Sequence, residues 1–374
     1  PAVSNKFVKG ASGENRRKNM ENREQFRVAL SGAFKNQDGT PVFPMFDLAP
    51  LSNDQEIDFE YVTGVDGRMS AESLEEFDAL VLLLERFDAN SIPTSNRLAL
   101  IARFGVGFDT VDVEACKSKG IAVGITPNGV RRPVAASVLT YILALSGRLM
   151  VKDALVRGGP STFAERAQHM GTGLVGKTLG SIGLGNIGTE VFRLCAPLDM
   201  NFIAHDPYID PTIAKSVNVE LKDLETIFRE SDFLTINVPL SEETRHLVNS
   251  ARLRSMKPTA YLINTSRGPV VDQTALVTAL TQGVIAGAGL DVFDPEPPEF
   301  DDPLLQLDNV ILSPHALCWT DQCFAGIGAQ DLEHVFAVKN GQVPKALADP
   351  SVAAEPTFQQ KLEHYRIHFG AQST

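Results

Sequence analysis

The sequence lacks several features that mark particular classes of protein. Its 374 residues include one tryptophan and only 7% aromatic residues. The most apolar helix candidate, residues 134–145, is shorter than the ~20 residues that a membrane-spanning helix needs. The first residues, Pro-Ala-Val-Ser, show no basic and apolar signal region. These absences predict a cytoplasmic protein that has no membrane as a partner.

Cysteine is also scarce, and its four positions have no metal-ligand spacing. They are Cys116, Cys195, Cys318 and Cys323. Scattered cysteines in a long chain are typical of reduced thiols that serve as small hydrophobic side chains. The sequence therefore predicts no disulfide and no metal site.

Positive charge is in deficit, since 34 Lys and Arg stand against 46 Asp and Glu, a net charge of −12. Nucleic-acid and anionic membrane surfaces need clustered Lys and Arg, so we expect no nucleic acid as a partner. The apolar content of 43% and mean hydropathy of −0.04 are typical of a globular protein, and the length suits two domains. Residues 1–25 are polar and are predicted to form an arm on the surface.

Against these absences stands a glycine-rich stretch, residues 179–191, which reads Leu-Gly-Ser-Ile-Gly-Leu-Gly-Asn-Ile-Gly-Thr-Glu-Val. The pattern predicts a strand, a tight turn and the opening of a helix, as in dinucleotide-binding units. The first glycine permits the turn, the second lets backbone approach a pyrophosphate, and the third lets the helix pack on the strand. The start of the helix offers N–H groups to phosphates. The residues predicted to bind the cofactor here are Gly183, Gly185, Asn186, Ile187 and Gly188.

An acid follows the next predicted strand, residues 201–205. Asp206 lies 23 positions after Gly183. Its carboxylate can accept hydrogen bonds from both ribose hydroxyls, whereas a 2′-phosphate would meet its negative charge at close range. The structural alternative is an Asx-turn into Pro207. The arrangement predicts NAD rather than NADP as the cofactor.

Short apolar runs alternate with helix-like segments along the rest of the chain, which predicts an α/β fold with parallel sheets. Before the glycine motif the predicted strands are residues 26–30, 57–62, 79–84 and 98–102, followed by a long apolar helix over residues 134–150. After it they are residues 233–238, 260–264, 285–290 and 310–312, with helices over residues 221–228, 249–256 and 273–280. The second set predicts a doubly wound sheet, whose ligand lies beyond the carboxyl ends of the strands.

Three successive strands of this second set are followed by side chains suited to the reduction of a 2-oxo acid: Arg267, Glu296 and His315. A guanidinium can hold a carboxylate bidentately, a histidine can give the alcohol its proton, and a carboxylate can stabilise the protonated imidazole. Singly, each could be an ordinary surface or loop residue. Together, downstream of a dinucleotide motif, they indicate a catalytic site.

Over about residues 75–345, a series of motifs resembles the D-isomer-specific 2-hydroxyacid dehydrogenase family. Besides the glycine motif, they are Ala-Leu-Ile-Ala-Arg-Phe-Gly-Val-Gly-Phe-Asp-Thr-Val-Asp (99–112), Val-Pro-Leu-Ser-Glu-Glu-Thr-Arg-His-Leu (238–247), Ile-Asn-Thr-Ser-Arg-Gly-Pro-Val-Val-Asp (263–272), Gly-Leu-Asp-Val-Phe-Asp-Pro-Glu-Pro (289–297) and Ser-Pro-His (313–315). The resemblance implies hydride transfer between NAD and a small D-2-hydroxy acid, with Arg267 binding substrate and His315 and Glu296 in acid/base roles.

The resemblance also implies two doubly wound α/β domains, with a Rossmann-type cofactor domain inserted into a flavodoxin-like substrate domain, and a homodimer. The substrate domain would comprise residues 26–133 and 318–345, and the cofactor domain residues 134–317. Residues 346–374 would then be a C-terminal tail.

Further contacts are implied by the same resemblance. Val106 and Gly107 match a loop whose amides receive the substrate carboxylate, together with Arg267. Val238 and Pro239 match positions along the adenine and ribose. Thr265 matches a position beside the nicotinamide, and Asp291 matches the residue that accepts from the nicotinamide carboxamide.

The sequence leaves the substrate open. Arg86, Arg131 or Arg132 could bind a second anionic group or be solvated charges, and Trp319 could cap the site from a partner subunit or be core. Glyoxylate, hydroxypyruvate, a sugar acid and phosphoglycerate are all candidates. The alternative functions are an NAD(H)-sensing binding protein of the same fold and a dehydrogenase of another small anion, such as phosphite. Formate is disfavoured because the formate enzymes that resemble this family have Gln at the position of Glu296.

Overall fold

Two parallel sheets organise the chain, one in each of two units. The structure is a computed structural model that describes residues 24–370. Unit 1 comprises the residues up to Thr126 and from Gly328 onward, and unit 2 comprises Pro127–Ile327. One unit is thus inserted into the other, and the predicted α/β class with two parallel-sheet domains is confirmed. The predicted N-terminal arm lies, except for its last two residues, outside the described part of the chain.

Unit 1 contains a five-stranded sheet in the order β2-β1-β3-β4-β5, and every neighbouring pair runs parallel. The strands are β1 (Phe26–Ser31), β2 (Ile57–Val62), β3 (Ala79–Leu82), β4 (Leu100–Arg103) and β5 (Ala122–Gly124). Every residue of β3 is buried. Helices or loops therefore cover both faces of this strand, which explains why the central strands are continuous apolar runs.

Unit 2 contains a seven-stranded parallel sheet in the order β12-β11-β10-β9-β6-β7-β8. The strands are β6 (Thr178–Ile182), β7 (Asn201–His205), β8 (Glu220–Leu221), β9 (Phe233–Ile236), β10 (Tyr261–Asn264), β11 (Gly287–Leu290) and β12 (Val310–Leu312). The chain moves outward from β6 in one direction and then restarts at β9 on its other side. This doubly wound order creates a switch point between β6 and β9, where such sheets bind ligands.

Twelve α-helices connect and cover these strands within the described residues. In chain order they are α1 (Ala49–Asn53), α2 (Val113–Ser118), α3 (Pro127–Gly147), α4 (Leu149–Arg157), α5 (Pro160–Phe163), α6 (Asn186–Cys195), α7 (Pro211–Ser216), α8 (Leu224–Glu230), α9 (Ser250–Ser255), α10 (Gln273–Thr281), α11 (Asp321–Lys339) and α12 (Pro356–Phe369). In unit 2 they bury two apolar clusters. Side chains of β9 belong to both: Leu234 to one, Phe233 to the other.

The crossings between the units differ from the predicted ones. The structure divides the chain after Thr126 and after Ile327, rather than at residues 133 and 317. The reason is the start of α3, which begins at Pro127 and contains Pro133 within it. The resemblance gave Pro133 as the last residue of the substrate domain, but this proline lies inside the helix.

Residues 346–374 contain a packed helix rather than only a tail. Within α12 the buried side chains are Phe358, Leu362, Tyr365 and Phe369. Their spacing is that of one helical face. The Tyr365 hydroxyl donates to the Arg97 carbonyl oxygen at 2.6 Å, which fixes this helix within unit 1. The prediction missed it because the face is narrow and the intervening residues are strongly polar.

In length and apolar content, no single helix among residues 24–370 is sufficient to cross a membrane. The helices α3 and α4 meet the same criterion only when taken together, and they are bent by 57° where they join.

Candidate active site

The glycine motif forms the predicted strand, turn and helix. Gly183 follows β6 with φ +91°, and a Cβ atom there would lie 2.4 Å from the Asn237 carbonyl oxygen. A Cβ at Gly188 would lie 2.5 Å from the Gly183 carbonyl oxygen, because α6 starts close against the strand end. A side chain at either position would displace backbone, so these two glycines fix the shape of the turn.

The start of α6 fits a dinucleotide. Gly185 is the N-cap residue, and no side chain of the described residues caps the helix. A Cβ built at Gly185 would meet no described atom within 4 Å, so this glycine is not required by the protein's own packing. The hydroxyl of Thr265 is buried and has no hydrogen-bond partner among residues 24–370. A bound NAD would accept hydrogen bonds from the uncapped N–H groups and fill the open space at the middle glycine. It would also give the buried hydroxyl a hydrogen-bond partner.

Asp206 lies at the end of β7, beside the turn. Its Oδ2 atom accepts from the Leu184 amide at 2.8 Å, and its Oδ1 atom accepts from the Tyr208 amide at 3.0 Å. The second bond is the Asx-turn that the sequence offered as an alternative, so the acid has a local role. Each carboxylate oxygen has two acceptor sites, which leaves capacity for ribose hydroxyls.

The other predicted cofactor positions surround the same turn. A Cβ at Gly183 would lie 3.0 Å from the Val238 side chain, and Val238 packs against one apolar cluster of unit 2. Pro239 is exposed, and Ile187 is half-buried against the second cluster. The Asn186 side chain donates to the Pro127 carbonyl oxygen at 2.7 Å. Asn186 thereby ties the first turn of α6 to the first residue of α3.

Arg267, Glu296 and His315 follow β10, β11 and β12, which are adjacent and parallel. The Nδ1 atom of His315 lies 2.6 Å from Oε1 of Glu296, and Oε2 accepts from the Phe293 amide at 3.2 Å. Since Nδ1 donates to the carboxylate, Nε2 is the nitrogen available to a substrate. The side chains of His315 and Glu296 are 43% and 37% exposed, so a small molecule can reach the pair.

Two opposing effects set the pKa of Glu296. Burial acts to raise it, but the hydrogen bond and charge of His315 act to lower it, helped by the Phe293 amide and the charge of Arg267, and the net pKa is lowered. Glu296 is therefore a carboxylate at neutral pH. The contribution of Arg267 also shows that the guanidinium and this carboxylate interact electrostatically.

A buried asparagine and a glycine place Arg267. The Asn264 side chain donates to the Arg267 carbonyl oxygen at 2.9 Å and accepts from the Ser266 amide at 3.0 Å. A Cβ at Gly268 would lie only 1.7 Å from the Phe293 carbonyl oxygen. Glycine is therefore needed for this turn to approach the segment that carries Glu296.

Asp291 holds the turn that carries the histidine. It is 3% exposed, and its Oδ1 atom accepts from the amides of Ala316 at 3.0 Å and Leu317 at 3.2 Å and from the Ser313 hydroxyl. His315 itself has φ +54°, a left-handed conformation that is uncommon outside glycine. Asp291 thus stabilises an unusual backbone, and its contact with the carboxamide of a cofactor stays a prediction.

Tyr141 extends this arrangement from α3. Its hydroxyl forms a hydrogen bond with Ser313, and burial is the main cause of its raised pKa. A Cβ at Gly289 would lie 2.6 Å from the Tyr141 ring, so this glycine in β11 lets the ring pack on the sheet. Gln273 supports the loop that carries Glu296, since its Oε1 atom accepts from the Asp294 amide at 2.9 Å.

Sequence reasoning missed these supporting residues. Asn264 and Ser313 end or follow strands, so the rule that found the arginine and the histidine could have included them. Tyr141 and Gln273 lie on helices, and no local signal distinguishes them. Gly268 was within a recognised motif, but its role depends on backbone that follows another strand.

Val106 and Gly107 belong to unit 1, where they follow β4 and are half-buried. Gly105 before them has φ +130°, and its carbonyl oxygen accepts from the Thr126 amide at 2.9 Å. The structure thus places His315 against Glu296, with Arg267 acting electrostatically on the same carboxylate. The role of Val106 and Gly107 toward a substrate carboxylate stays a prediction.

The arginines considered for a second anion have partners within the chain. Arg132 Nη1 lies 2.9 Å and Arg131 Nε 3.9 Å from the carboxylate of Glu190, which is buried. Arg86 Nε lies 3.8 Å from Asp88. Trp319 is 52% exposed, so it is not part of a core within the described residues.

The chain is similar in sequence to known dehydrogenases and reductases. Residues 139–316 match the family profile described as D-isomer specific 2-hydroxyacid dehydrogenase, NAD binding domain. A glyoxylate reductase of Korarchaeum cryptofilum is 39% identical over 292 residues, which is 77% of this chain and 88% of that protein. A glyoxylate reductase of Thermococcus litoralis is 37% identical over 286 residues, 75% of this chain and 86% of that protein.

Solved structures with the same fold include D-lactate dehydrogenase from Aquifex aeolicus complexed with NAD and lactic acid. It has a TM-score of 0.73 and 28% identity, over 86% of this chain and 98% of that one. The holo form of D-mandelate dehydrogenase from Rhodotorula graminis has a TM-score of 0.74 and 26% identity, over 87% and 98%.

The doubly wound fold, the glycine turn and the strand-end residues define an NAD-linked oxidoreductase. More specifically, the chain belongs to the D-isomer-specific 2-hydroxyacid dehydrogenase family. It is an NAD-dependent D-2-hydroxyacid dehydrogenase.

Proposed function

We propose that this enzyme reduces a small 2-oxo acid of the glyoxylate and hydroxypyruvate class to the corresponding 2-hydroxy acid. The observation that carries the proposal is the 2.6 Å contact between His315 Nδ1 and Glu296 Oε1. It orients Nε2 as a proton donor at an accessible edge of the unit 2 sheet. The glyoxylate reductases among the similar proteins support a small substrate.

Cofactor binding is assigned to the glycine turn and the first turn of α6. The N–H groups around Asn186 and Ile187 would hold the pyrophosphate, and Asp206 would accept from the ribose hydroxyls. Thr265 would gain a partner for its orphaned hydroxyl. Asp206 disfavours a 2′-phosphate, so NADH is preferred over NADPH. When bound, NADH supplies the hydride.

Arg267 and His315 carry the substrate chemistry. The Arg267 guanidinium binds the substrate carboxylate and polarises the neighbouring carbonyl. As the carbonyl carbon receives the hydride, His315 Nε2 donates a proton to the oxygen, so the product is an alcohol and the imidazole becomes neutral. The carboxylate of Glu296 stabilises the protonated imidazole before the transfer.

A homodimer is the second part of the proposal. In unit 2, residues 149–175 expose several large apolar side chains: Leu149, Met150, Val156, Phe163, Met170 and Val175. A group of this size is more than the scattered exposure of a monomer and suits burial by a second copy. Light scattering of the purified protein should give twice the 40.5 kDa of the chain. A mass of one chain would contradict the dimer. The cytoplasmic location stays a prediction.

The test of the activity is NADH oxidation against a panel of 2-oxo acids, with NADPH in parallel. We expect turnover of a small 2-oxo acid with NADH. His315→Asn should lower kcat by about 10²–10⁴-fold, since general acid catalysis contributes that much. His246→Asn is the matched control, because His246 is exposed, also has a positive φ and is not in the site. Unchanged turnover in His315→Asn would contradict the mechanism, and tight NADH binding without turnover would favour the NAD(H)-sensing alternative.

A further inference from the structure

We propose that Glu24, His364 and His368 form a surface site for a divalent transition-metal cation such as Zn²⁺ or Ni²⁺. All three belong to unit 1, and none takes part in the dehydrogenase mechanism proposed above. One ligand atom from each side chain lies within 4.8 Å of the other two. The cysteine pattern could not indicate such a site, because its ligands are histidine nitrogens and a carboxylate.

The helix α12 brings the two histidines together. His364 and His368 are four residues apart, so they lie on one face, and their ring centroids are 4.2 Å apart. Two histidines at this spacing on a helix can bind one metal ion. Their side chains are 47% and 41% exposed, so an ion can reach them from solvent.

A backbone hydrogen bond fixes which nitrogen of His368 is free. Its Nδ1 atom lies 2.7 Å from the His364 carbonyl oxygen. Because a carbonyl only accepts, Nδ1 carries the proton and Nε2 keeps its lone pair for a ligand. A hydrogen bond of this kind, on the nitrogen that does not bind the ion, is the usual companion of a metal-ligating histidine.

Glu24 supplies the third ligand. Its Oε1 atom lies 3.7 Å from His364 Nε2, and its Oε2 atom lies 3.9 Å from His368 Nε2. In a tetrahedral zinc site with bonds of about 2.0–2.1 Å, ligand atoms are about 3.3–3.4 Å apart. The three ligand atoms lie within 4.8 Å of one another, so they need to approach by at most about 1.5 Å. Rotation of exposed side chains can provide this movement.

Aromatic packing holds the two segments of the site in place. Phe26, two residues after Glu24, is buried and lies 5.1 Å from the Tyr365 ring and 5.9 Å from the Phe369 ring. The start of β1 is thereby fixed against α12, next to the histidines. The charge of Glu24 helps to raise the pKa of Arg97, but the Arg97 guanidinium donates two hydrogen bonds to Asp78. The carboxylate of Glu24 is thus available to a metal ion.

The experiment is calorimetric titration of ZnCl₂ and of NiCl₂ into the full chain after treatment with EDTA. We expect one equivalent of ion to bind at this site. His364→Asn and His368→Asn should each weaken its affinity at least tenfold, and Glu24→Gln by a smaller factor, because two imidazoles remain. His246→Asn, an exposed histidine of unit 2, is the matched control and should bind like the parent.

Thermal unfolding provides the second readout. Ni²⁺ should raise the Tm of the parent, EDTA should reverse the rise, and the two histidine variants should lose it. In EDTA the variants should unfold like the parent, which separates ligand loss from misfolding; Glu24→Gln lies outside the helix and serves if a histidine variant fails to fold. An absence of binding, or equal binding in parent and both histidine variants, would overturn the site. Dehydrogenase activity in EDTA should equal that without it, so the two proposals fail separately.

Discussion

Each of the two units contains its own parallel sheet. The units differ in the residues that come directly after the strands. In unit 2 the carboxyl ends of β10, β11 and β12 are followed by Arg267, Glu296 and His315. In unit 1, β4 is followed by a glycine loop next to a cluster of buried rings, which are Phe34, Phe43, Phe46 and Phe104. The fold therefore supplies the edge of a sheet, while the residues after the strands decide the chemistry.

The glycines of the two units show the same contrast. Gly183 and Gly105 both have positive φ, +91° and +130°. A Cβ at Gly183 would meet backbone of Asn237, whereas one at Gly105 would meet the guanidinium of Arg103, the far end of a flexible side chain, with Nη1 at 2.5 Å. The turn in unit 2 is therefore fixed by the neighbouring backbone of Asn237.

Removing the guanidinium should strongly reduce activity. Arg267→Ala should lower kcat/KM for the 2-oxo acid by about 10³-fold or more, because it deletes a charged contact that strengthens in the transition state. NADH affinity should stay within about twofold, since the predicted cofactor contacts are elsewhere. Stopped-flow fluorescence and steady-state kinetics measure both. Arg229→Ala on the exposed face of α8 is the control. Normal turnover would remove Arg267 from the mechanism.

Two alanine substitutions separate folding from cofactor binding within the glycine turn. Gly185→Ala should leave stability unchanged but weaken NADH binding about tenfold or more, because its Cβ meets only the space assigned to the pyrophosphate. Gly183→Ala should instead lower the free energy of unfolding by about 2–4 kcal/mol. Gly176→Ala is the matched control, because Gly176 has φ +74° and a Cβ built there would meet no described atom within 4 Å. This substitution should lower the free energy of unfolding by about 1 kcal/mol. Equal NADH affinity in Gly185→Ala and the parent would refute the placement.

Cofactor preference should depend on Asp206. Asp206→Asn keeps an acceptor for the Leu184 or Tyr208 amide but removes the negative charge. The ratio of kcat/KM with NADH to that with NADPH should therefore fall about tenfold. The same ratio in variant and parent would show that another group selects the cofactor.

A further expected effect is in unit 1 and concerns stability alone. Asp331 is fully buried, and neither carboxyl oxygen has a hydrogen-bond partner within residues 24–370. Burial raises its pKa well above the usual value, although the charge of Arg103 acts the other way. Asp331→Leu, of similar shape, should raise the free energy of unfolding at neutral pH by about 1–3 kcal/mol.

The pH dependence of this effect has a definite sign. Because the folded-state pKa of Asp331 is raised, the parent loses stability as pH rises from the unfolded-state value through the folded-state value. The advantage of Asp331→Leu should therefore be small in acid and grow toward neutral pH. Urea unfolding at several pH values measures it, and an advantage that shrinks as pH rises would contradict the assignment.

Much of unit 2 could be predicted because each feature has a local signal. The glycine turn, the acid after β7 and the order of short apolar strands can be recognised from spacing and composition over a few residues. The start of α3 at Pro127 was not predicted, because the boundary at Pro133 came from the resemblance to the family and not from a local signal. The packing of α12 was also missed, because its narrow apolar face is recognisable only against the sheet that it covers.

The supporting residues of the site show the same limit. Tyr141 acts through Ser313 and Gln273 through Asp294, and each pair is distant in sequence. Their hydrogen bonds exist only once the sheet has brought α3 and α10 to their places. The spacing of side chains along the chain therefore predicts which strand ends carry chemistry, but not which helices hold them.

The pH dependence of NADH oxidation by the parent and by Glu296→Gln tests the proposed acid/base pair. We expect the variant to bind NADH normally, to reduce the 2-oxo acid about 10–100-fold more slowly, and to lose activity at a lower pH as pH is raised. The reason is that a neutral amide no longer stabilises the proton on His315. A variant with the rate and pH profile of the parent would contradict the assignment of the His315 and Glu296 pair as the acid of the reaction.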